Sequence, residues 1–459
     1  MKYKAVYLIG IGGIGMSALA RYYKHLGLFV AGYDKTKTSL AQQLENEEIF
    51  IHYSDNVSLI PEICTNAENT LIIYTPALPN KHSELNYFLD NGFDVIKRSK
   101  ILGTIAADKH TLAVSGTHGK TSTSTLLAHI LTAAADGCNA FLGGISKNYN
   151  TNLLLSASKN LVAEADEFDR SFLQLFPNAA IITAVDADHL DIYNNLEEVH
   201  KAYETFASQV KSGGELIVKK GINIKLPENN VKIYHYSYNE PCDFYASNIK
   251  LCSDACYSFD INLPNQKIYD CKLGIPGWVN VENAVAATAL AWTIGFDEQK
   301  LKTALKNFAG VKRRFDVQIN TPKLTYIDDY AHHPEELKAT LTSIKNTFAG
   351  RKITAVFQPH LYTRTRDFAA DFAKNLSLAD ELVLLDIYPA RELPIEGVTS
   401  SIIFDNITSK EKTLCKKQEL LDVLTNKDFD VLVTFGAGDI DLFVEPIKKM
   451  LNKRIVNNE

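Results

Sequence analysis

At 459 residues the chain is about three times the roughly 150 residues of a typical domain, which excludes a single hydrophobic core and predicts three domains. With 48 basic and 54 acidic residues the net charge is −6, and no long block of one sign occurs, so a nucleic-acid footprint is excluded while small charged substrates remain compatible. No run of 18 apolar residues occurs, and the apolar stretch after Met1-Lys-Tyr-Lys is too short for a signal peptide, so a cytoplasmic protein without membrane contact is expected. Seven scattered cysteines argue against a disulfide framework, and Cys252 and Cys256 lack a second ligand pair for zinc.

The first hundred residues alternate strand-like runs (Ala5 to Ile9, Phe29 to Tyr33, Thr70 to Thr75, Asp94 to Ile96) with helix-like runs (Met16 to Leu26, Ser39 to Glu45, Ser83 to Asn91). This βαβ rhythm predicts a small doubly wound sheet. Gly10-Ile-Gly12-Gly13-Ile-Gly15 follows the first strand, precedes a helix and has Asp34 about 20 residues on, the pattern of a turn that binds a diphosphate joined to a ribose. The phosphate chemistry is better defined than the ligand, since a nicotinamide dinucleotide and a uridine-diphosphate sugar both present it. Glycines needed only for helix packing are the alternative reading.

From Lys109 a second α/β rhythm begins. The apolar run Thr111 to Val114 leads through Gly116-Thr117-His118-Gly119-Lys120-Thr121 into a helix-like segment, Ser122 to Leu131. Strand, glycine turn and helix in that order make a triphosphate cradle: backbone N–H groups and the helix dipole face the phosphates, Lys120 adds charge, and the Thr121 hydroxyl can bind Mg²⁺. Val114 stands where the usual first glycine would be, so the cradle is a shortened variant for ATP or GTP. Two further strand ends carry carboxylates, Glu164-Ala-Asp166-Glu167 and Asp186-Ala-Asp188-His189-Leu-Asp191. Both are expected beside the phosphates at the carboxyl edge of the sheet. Mg²⁺ on a triphosphate takes one or two protein oxygens, so Thr121 with Glu164 is the expected metal site and His189 a support for a second ion. Outside this context, a lone histidine is usually structural and an acidic cluster a solvated face.

Residues 214 to 274, rich in short alternating stretches, predict an antiparallel addition before a helix from Val281 to Ile294. Past Gly310-Val-Lys-Arg-Arg314-Phe315 a third rhythm runs through Leu324 to Ile327, Pro334 to Asn346, Ile353 to Phe357, Leu382 to Leu385 and Val431 to Phe435. Its loops concentrate His, Arg and Tyr: Asp328-Asp329-Tyr330-Ala-His332-His333-Pro334 and Phe357-Gln-Pro-His360-Leu361-Tyr362-Thr-Arg364-Thr-Arg366-Asp367. The planar fork of arginine suits a carboxylate, so an amino acid or similar small acid fits this region. A local Arg366–Asp367 pair is the bland alternative.

Together these motifs resemble the Mur ligase family, ATP-dependent amide-forming enzymes of peptidoglycan synthesis. The likeness spans nearly the whole chain and rests on Gly10 to Ser17, Gly116 to Thr121, Glu164 to Glu167, Asp188 to Asp191, Arg313-Arg-Phe315, Asp328 to Pro334, Phe357 to His360, Tyr362 to Thr365, Asp386 to Glu392 and Gly436 to Ile440. The resemblance implies an α/β chain of three domains, each a mostly parallel sheet with flanking helices: an N-terminal Rossmann-like UDP-sugar domain (1–107), a central P-loop ATPase domain (108–311) and a C-terminal Rossmann-like domain that positions an amino acid (312–459).

It further implies ligation of L-alanine to the lactyl carboxylate of UDP-N-acetylmuramate with ATP and Mg²⁺, by a monomer or weak homodimer. Lys120, Glu164, His189 and Arg314 are then expected in catalysis. Gly116 to Ser122, Asn280, Asn283 and Asp329 would bind ATP. Gly10, Gly12, Gly13, Gly15, Met16, Ser17 and Asp34 would bind the UDP-sugar, and Tyr330, His332, His360 and Arg364 the amino acid. Family members usually carry His at Val279, Asn at Ala184 and often Arg at Leu361, which leaves Arg364 as the main carboxylate candidate. A tripeptide-adding relative, an NAD-dependent oxidoreductase and an ATP-switched binding protein are the alternatives.

Overall fold

The computed structural model describes residues 2–79, 81–186, 190–228, 230–390 and 392–457. The first sheet holds β1 (Ala5–Ile9), β2 (Phe29–Tyr33), β3 (Phe50–His52), β4 (Thr70–Tyr74) and β5 (Asp94–Lys97), with helices α1 (Ile14–His25), α2 (Ser39–Asn46), α3 (Ser83–Asp90) and α4 (Arg98–Ala107). Its order is β3-β2-β1-β4-β5, and the pairings are parallel. All five residues of β1 are buried, as an apolar strand covered on both faces must be. Each fully buried Val, Leu or Ile contributes about 1.5–3 kcal/mol. The strand order reverses at β1, so the glycine turn that follows it sits at the crevice where such sheets bind ligands.

One face of this sheet buries a polar cluster. The Tyr7 hydroxyl donates to Glu84 Oε2 at 2.7 Å and lies 2.6 Å from His52 Nε2. Asn56 N–H donates to Glu84 Oε1, while Asp55 accepts from the Ser83 and Glu84 N–H groups at the start of α3. Burial pushes Glu84 up to about 7 and lowers His52.

The second sheet contains β6 (His110–Ser115), β7 (Asn139–Ser146), β8 (Thr151–Leu154), β9 (Asn160–Ala165), β10 (Ala179–Ile182), β11 (Glu215–Lys219), β12 (Lys232–Ser237), β13 (Phe244–Leu251), β14 (Tyr257–Asn262) and β15 (Lys267–Lys272). Its helices are α5 (Lys120–Ala134), α6 (Leu190–Tyr193), α7 (Leu196–Ser208), α8 (Trp278–Trp292) and α9 (Glu298–Asn307). The order is β15-β14-β13-β12-β11-β10-β6-β9-β7-β8, with β6 parallel to both β10 and β9. The addition expected to be antiparallel starts otherwise: β11 pairs parallel with β10 and β12, and β12 parallel with the start of β13. The start of β12 lies beside the start of β11, Lys232 opposite Glu215, so the two strands run the same way. Alternation in a single sequence gives the exposed face of a strand but not its direction.

The third sheet comprises β16 (Asp316–Asn320), β17 (Thr325–Asp329), β18 (Ile353–Phe357), β19 (Glu381–Leu384), β20 (Glu411–Leu414) and β21 (Val431–Phe435). Around it lie α10 (Pro334–Thr347), α11 (Tyr362–Asp367), α12 (Ala369–Leu376), α13 (Ser401–Phe404), α14 (Leu420–Thr425) and α15 (Val444–Asn457). The order is β16-β17-β21-β18-β19-β20, parallel except for β16. No helix among the described residues is long and apolar enough to cross a membrane.

The chain forms two compact units, one of residues 1–247, 260–271 and 283–308 and the other of residues 248–259, 272–282 and 309–459. Within the first, α1 packs on β7 and β8, so the glycine-turn helix rests on the second sheet. Asn152 of β8 is fully buried there and donates to Ile14 O at 2.6 Å and Ser17 Oγ at 3.0 Å.

The buried Glu84 gives a pH test. Its folded pKa lies above the ordinary 4.5, so ionising it costs stability progressively as pH rises from that value through about 7. Glu84→Gln therefore gains melting temperature relative to wild type between pH 5 and pH 8. A calorimetric difference that stays constant over this range would refute the assignment, and the neighbouring Tyr7, His52 and Asp55 are common to both proteins.

Candidate functional site

Gly116 follows β6 with φ +134, and a Cβ there would collide with the Thr183 hydroxyl and lie 2.7 Å from Ala184 N, so only glycine fits. Gly119 takes φ +81 as the N-cap of α5 and turns the backbone into that helix. Thr183 pins the turn, its hydroxyl meeting Ser115 O at 3.1 Å and His118 O at 2.5 Å. Thr117 lies against Asp186, and His118 Nε2 is 3.3 Å from Asp186 Oδ2. Ser122 is half-buried on the first turn of α5. The Asn283 side chain closes the other side, its Oδ1 accepting from Thr123 Oγ1 at 3.2 Å.

Lys120 is bound by Glu167, at 2.8 Å to Oε1 and 2.7 Å to Oε2, and donates to Gly116 O at 2.6 Å. Burial alone would lower its pKa, but Glu167, Asp166 and Glu164 together raise it, so the ammonium stays charged. Glu167 is only 1% exposed, and its backbone carbonyl is held by the Tyr193 hydroxyl at 2.6 Å. Glu164 accepts from Thr121 Oγ1 at 3.1 Å, Ser124 Oγ at 3.3 Å and Gly143 N at 3.1 Å. The structure thus brings Lys120, Thr121 and Glu164 together as expected. Glu167, the lysine's partner, ends the Glu164-Ala-Asp166-Glu167 motif, and its place directly after the Glu-Ala-Asp strand end is the sequence signal for it. His189, expected in catalysis and metal binding, and Asp188 lie outside the described residues.

At the first glycine turn, Asp34 Oδ2 accepts from Gly12 N at 2.8 Å and its Oδ1 from Thr36 N at 3.0 Å. Gly13 is the N-cap of α1, and Gly10 has φ +85. Met16 and Ser17 are buried under the turn, with Ser17 Oγ donating to Ile14 O, so both shape the turn from below.

In the second unit the segments after β17, β18 and β19 assemble an aromatic row. Tyr330 and His332 meet edge to face at 5.2 Å, His332 and His360 at 5.9 Å, and His360 stacks on Tyr388 at 5.8 Å. The Arg313 and Arg314 guanidinium carbons lie 5.0 and 4.8 Å from the Tyr330 ring centre, and Arg314 pairs with Glu336 at 3.9 Å. Asp329 is buried and accepts from Phe315 N and Ala331 N, which folds the loop, and burial raises it to about 7. Asn280, also buried, donates to Pro276 O at 2.7 Å. Arg364 is half-buried on α11, whose start is fixed by Thr363 N donating to Glu392 at 3.0 Å. Arg366 pairs with Asp367 at 2.7 Å, the local pair allowed for above.

A triphosphate turn with a carboxylate-held lysine, in the same compact unit as a diphosphate-type turn, defines an enzyme of the α/β class that uses nucleotides. Family comparisons carry this further: residues 5–110 match the Mur ligase family catalytic domain, 114–291 the Mur ligase middle domain, and 313–438 the Mur ligase glutamate ligase domain. The chain belongs to the Mur ligase family. It is 53% identical over 457 residues to the UDP-N-acetylmuramate–L-alanine ligase of Parabacteroides distasonis, covering 99% of this chain and 98% of that one. It is 50% identical over 454 residues to the enzyme of the same name from Phocaeicola vulgatus, covering 98% and 99%. Among solved structures, the UDP-N-acetylmuramate-alanine ligase of Thermotoga maritima superposes with a TM-score of 0.81 at 27% identity, covering 99% and 100%.

Gly116→Ala should lower ATP affinity at least about tenfold, some 1.4 kcal/mol, because the added methyl forces the turn off Thr183 and Ala184. Titration calorimetry with ATP checks this; unchanged affinity would mean that the turn does not hold the phosphates.

Proposed function

We propose that the chain is an ATP-dependent ligase that joins L-alanine to the lactyl carboxylate of UDP-N-acetylmuramate, giving ADP and phosphate, in cytoplasmic peptidoglycan precursor synthesis. The observation that carries the reading is the pair of phosphate turns in one unit, one built around Lys120 and Glu167 and the other around Asp34. Full-length identity to the alanine ligases selects the substrates. The division of labour is a UDP-sugar domain (1–107), an ATPase domain (108–311) and an amino-acid-positioning domain (312–459), acting as a monomer or weak homodimer.

A carboxylate is a poor electrophile, so the γ-phosphoryl group of ATP passes to the lactyl oxygen and the alanine amine then displaces phosphate from the acyl phosphate. Lys120 faces the charge that builds on the transferring group, and Glu167 fixes where its ammonium points. The Thr121 hydroxyl and the Glu164 carboxylate, two hard oxygen donors 3.1 Å apart, fit Mg²⁺, and His189 is assigned with them. A bound ion would neutralise phosphate charge there. In the second unit, Tyr330, His332, His360 and Arg364 are assigned to alanine.

Phosphate release from ATP and Mg²⁺ with UDP-N-acetylmuramate tests the reading. L-alanine should support turnover, while no amino acid and the L-Ala-γ-D-Glu-diamino-acid tripeptide should not. Turnover only with the tripeptide would make this a recycling ligase, and NADH binding without turnover would favour an oxidoreductase. Lys120→Ala should reduce alanine-dependent release by on the order of 10²–10³-fold, and a normal rate in that variant would defeat the mechanism.

A further inference from the structure

Gly143 stands in β7, a strand outside both the glycine turn of Lys120 and the acidic motif, and nothing in the mechanism above uses it. The ladder between β7 and β9 pairs Asn139 with Leu161, Ala140 with Val162 and Phe141 with Ala163, and it ends there, one residue short of Glu164. The pairing of β7 with β8 is irregular over the same stretch, between Phe141 and Ser146. Where the ladders lapse, the Gly143 N–H donates to a side chain, Glu164 Oε2, at 3.1 Å. Glycine inside a strand marks a place that another group must approach closely, and here that group is a carboxylate.

A Cβ built on Gly143 would overlap Glu164 Oε1, Oε2 and Cδ, so the carboxylate fills the space that a side chain would take. Gly143 does not have a positive φ, so its backbone conformation does not demand glycine; the space that Glu164 occupies does. The overlap is with the end of a side chain and not with backbone, so a methyl group there moves Glu164 and not the strand. The two carboxylate oxygens have different partners. Oε2 is held by Gly143 N and lies 3.3 Å from Ser124 Oγ, while Oε1 meets the Thr121 hydroxyl at 3.1 Å. The Ser124 hydroxyl is also 3.2 Å from Thr121 O and has a single proton to give, which leaves Gly143 N–H as the dedicated donor to Oε2.

We propose that Gly143 is a positioning residue for the Mg²⁺ site: its N–H holds Glu164 Oε2, its missing side chain leaves the carboxylate room, and Oε1 is thereby kept beside the Thr121 hydroxyl for the ion. The proposal rests on the Mg²⁺ reading above. Mg²⁺ demands a strict ligand geometry, so a carboxylate that swings freely on its side chain binds it less well than one fixed through its far oxygen. The metal site then draws on three elements of one sheet: α5 supplies Thr121, β9 supplies Glu164, and β7 supplies the seat that fixes Glu164.

Mn²⁺, as a probe for Mg²⁺, titrated into wild type, Gly143→Ala, Glu164→Ala and the double variant, each carrying stoichiometric ATP, tests this through the paramagnetic resonance signal of the free ion. Calorimetric ATP affinity in EDTA is the control. Gly143→Ala should weaken Mn²⁺ at least about tenfold while leaving metal-free ATP affinity within about twofold. Its melting temperature should stay within about 3 °C of wild type, because alanine suits a strand backbone of negative φ. Glu164→Ala should weaken Mn²⁺ at least as much, and adding Gly143→Ala to it should cost nothing further. Wild-type Mn²⁺ affinity in Gly143→Ala overturns the proposal, as does a Gly143→Ala loss that persists in the Glu164→Ala background. An equal loss of ATP affinity in EDTA also overturns it, since that is the mark of a distorted turn. Wild type that holds Mn²⁺ no more tightly than free ATP does would instead overturn the underlying Mg²⁺ reading. Should Gly143→Ala not fold, the double variant decides: its folding shows that methyl and carboxylate compete for one space, and its failure overturns the proposal.

Discussion

The buried contact between Lys120 and Glu167 is the constraint around which the first unit is arranged. A lysine taken out of water would lose its proton, and with it the charge that a triphosphate site needs; the carboxylates of Glu167, Asp166 and Glu164 reverse that tendency. The arrangement has a structural cost. Removing either partner of a buried ion pair leaves the other uncompensated, at about 3–5 kcal/mol. Glu167 is accordingly fixed at its backbone by Tyr193, while Glu164, three residues earlier, is fixed by Thr121, Ser124 and Gly143. One short strand end therefore orders both the cation and the Glu164 oxygens proposed to hold Mg²⁺.

The same segment reaches the other phosphate turn. Asp166, between those two glutamates, faces Arg98, which lies over the first turn of α1. Below that turn, Asn152 binds Ile14 and Ser17, and α1 packs on β7 and β8. The two glycine turns thus belong to one compact body. That suits a reaction in which a phosphoryl group must travel a fixed short distance, because rigid placement supplies part of the rate before any chemistry occurs.

The second unit is built on a different principle. Its loops after β17 and β18 are held by carboxylates that serve backbone groups: Asp329 binds the N–H groups of Phe315 and Ala331, Glu336 caps α10 and meets His332, and Glu392 fixes the start of α11. These contacts leave Tyr330, His332 and His360 in an ordered aromatic row.

Much of this was legible in the chain itself. Apolar runs of five residues such as Ala5 to Ile9 and Val431 to Phe435, each followed by glycine, announce buried parallel strands with ligand turns, because burial on both faces and sharp reversal each restrict residue type locally. Gly116 to Thr121, Glu164 and Asp34 were recognisable for the same reason. What only the tertiary structure decided is partnership: that Glu167 holds Lys120, that Asn152 binds α1, that Arg98 occupies the space left by Gly15, and that β11 and β12 run parallel. Those pairings join residues 47, 135, 138 and 83 positions apart or depend on the path of a connection. Spacing along a chain encodes which way a side chain faces; which distant side chain it meets is set only when the sheets close.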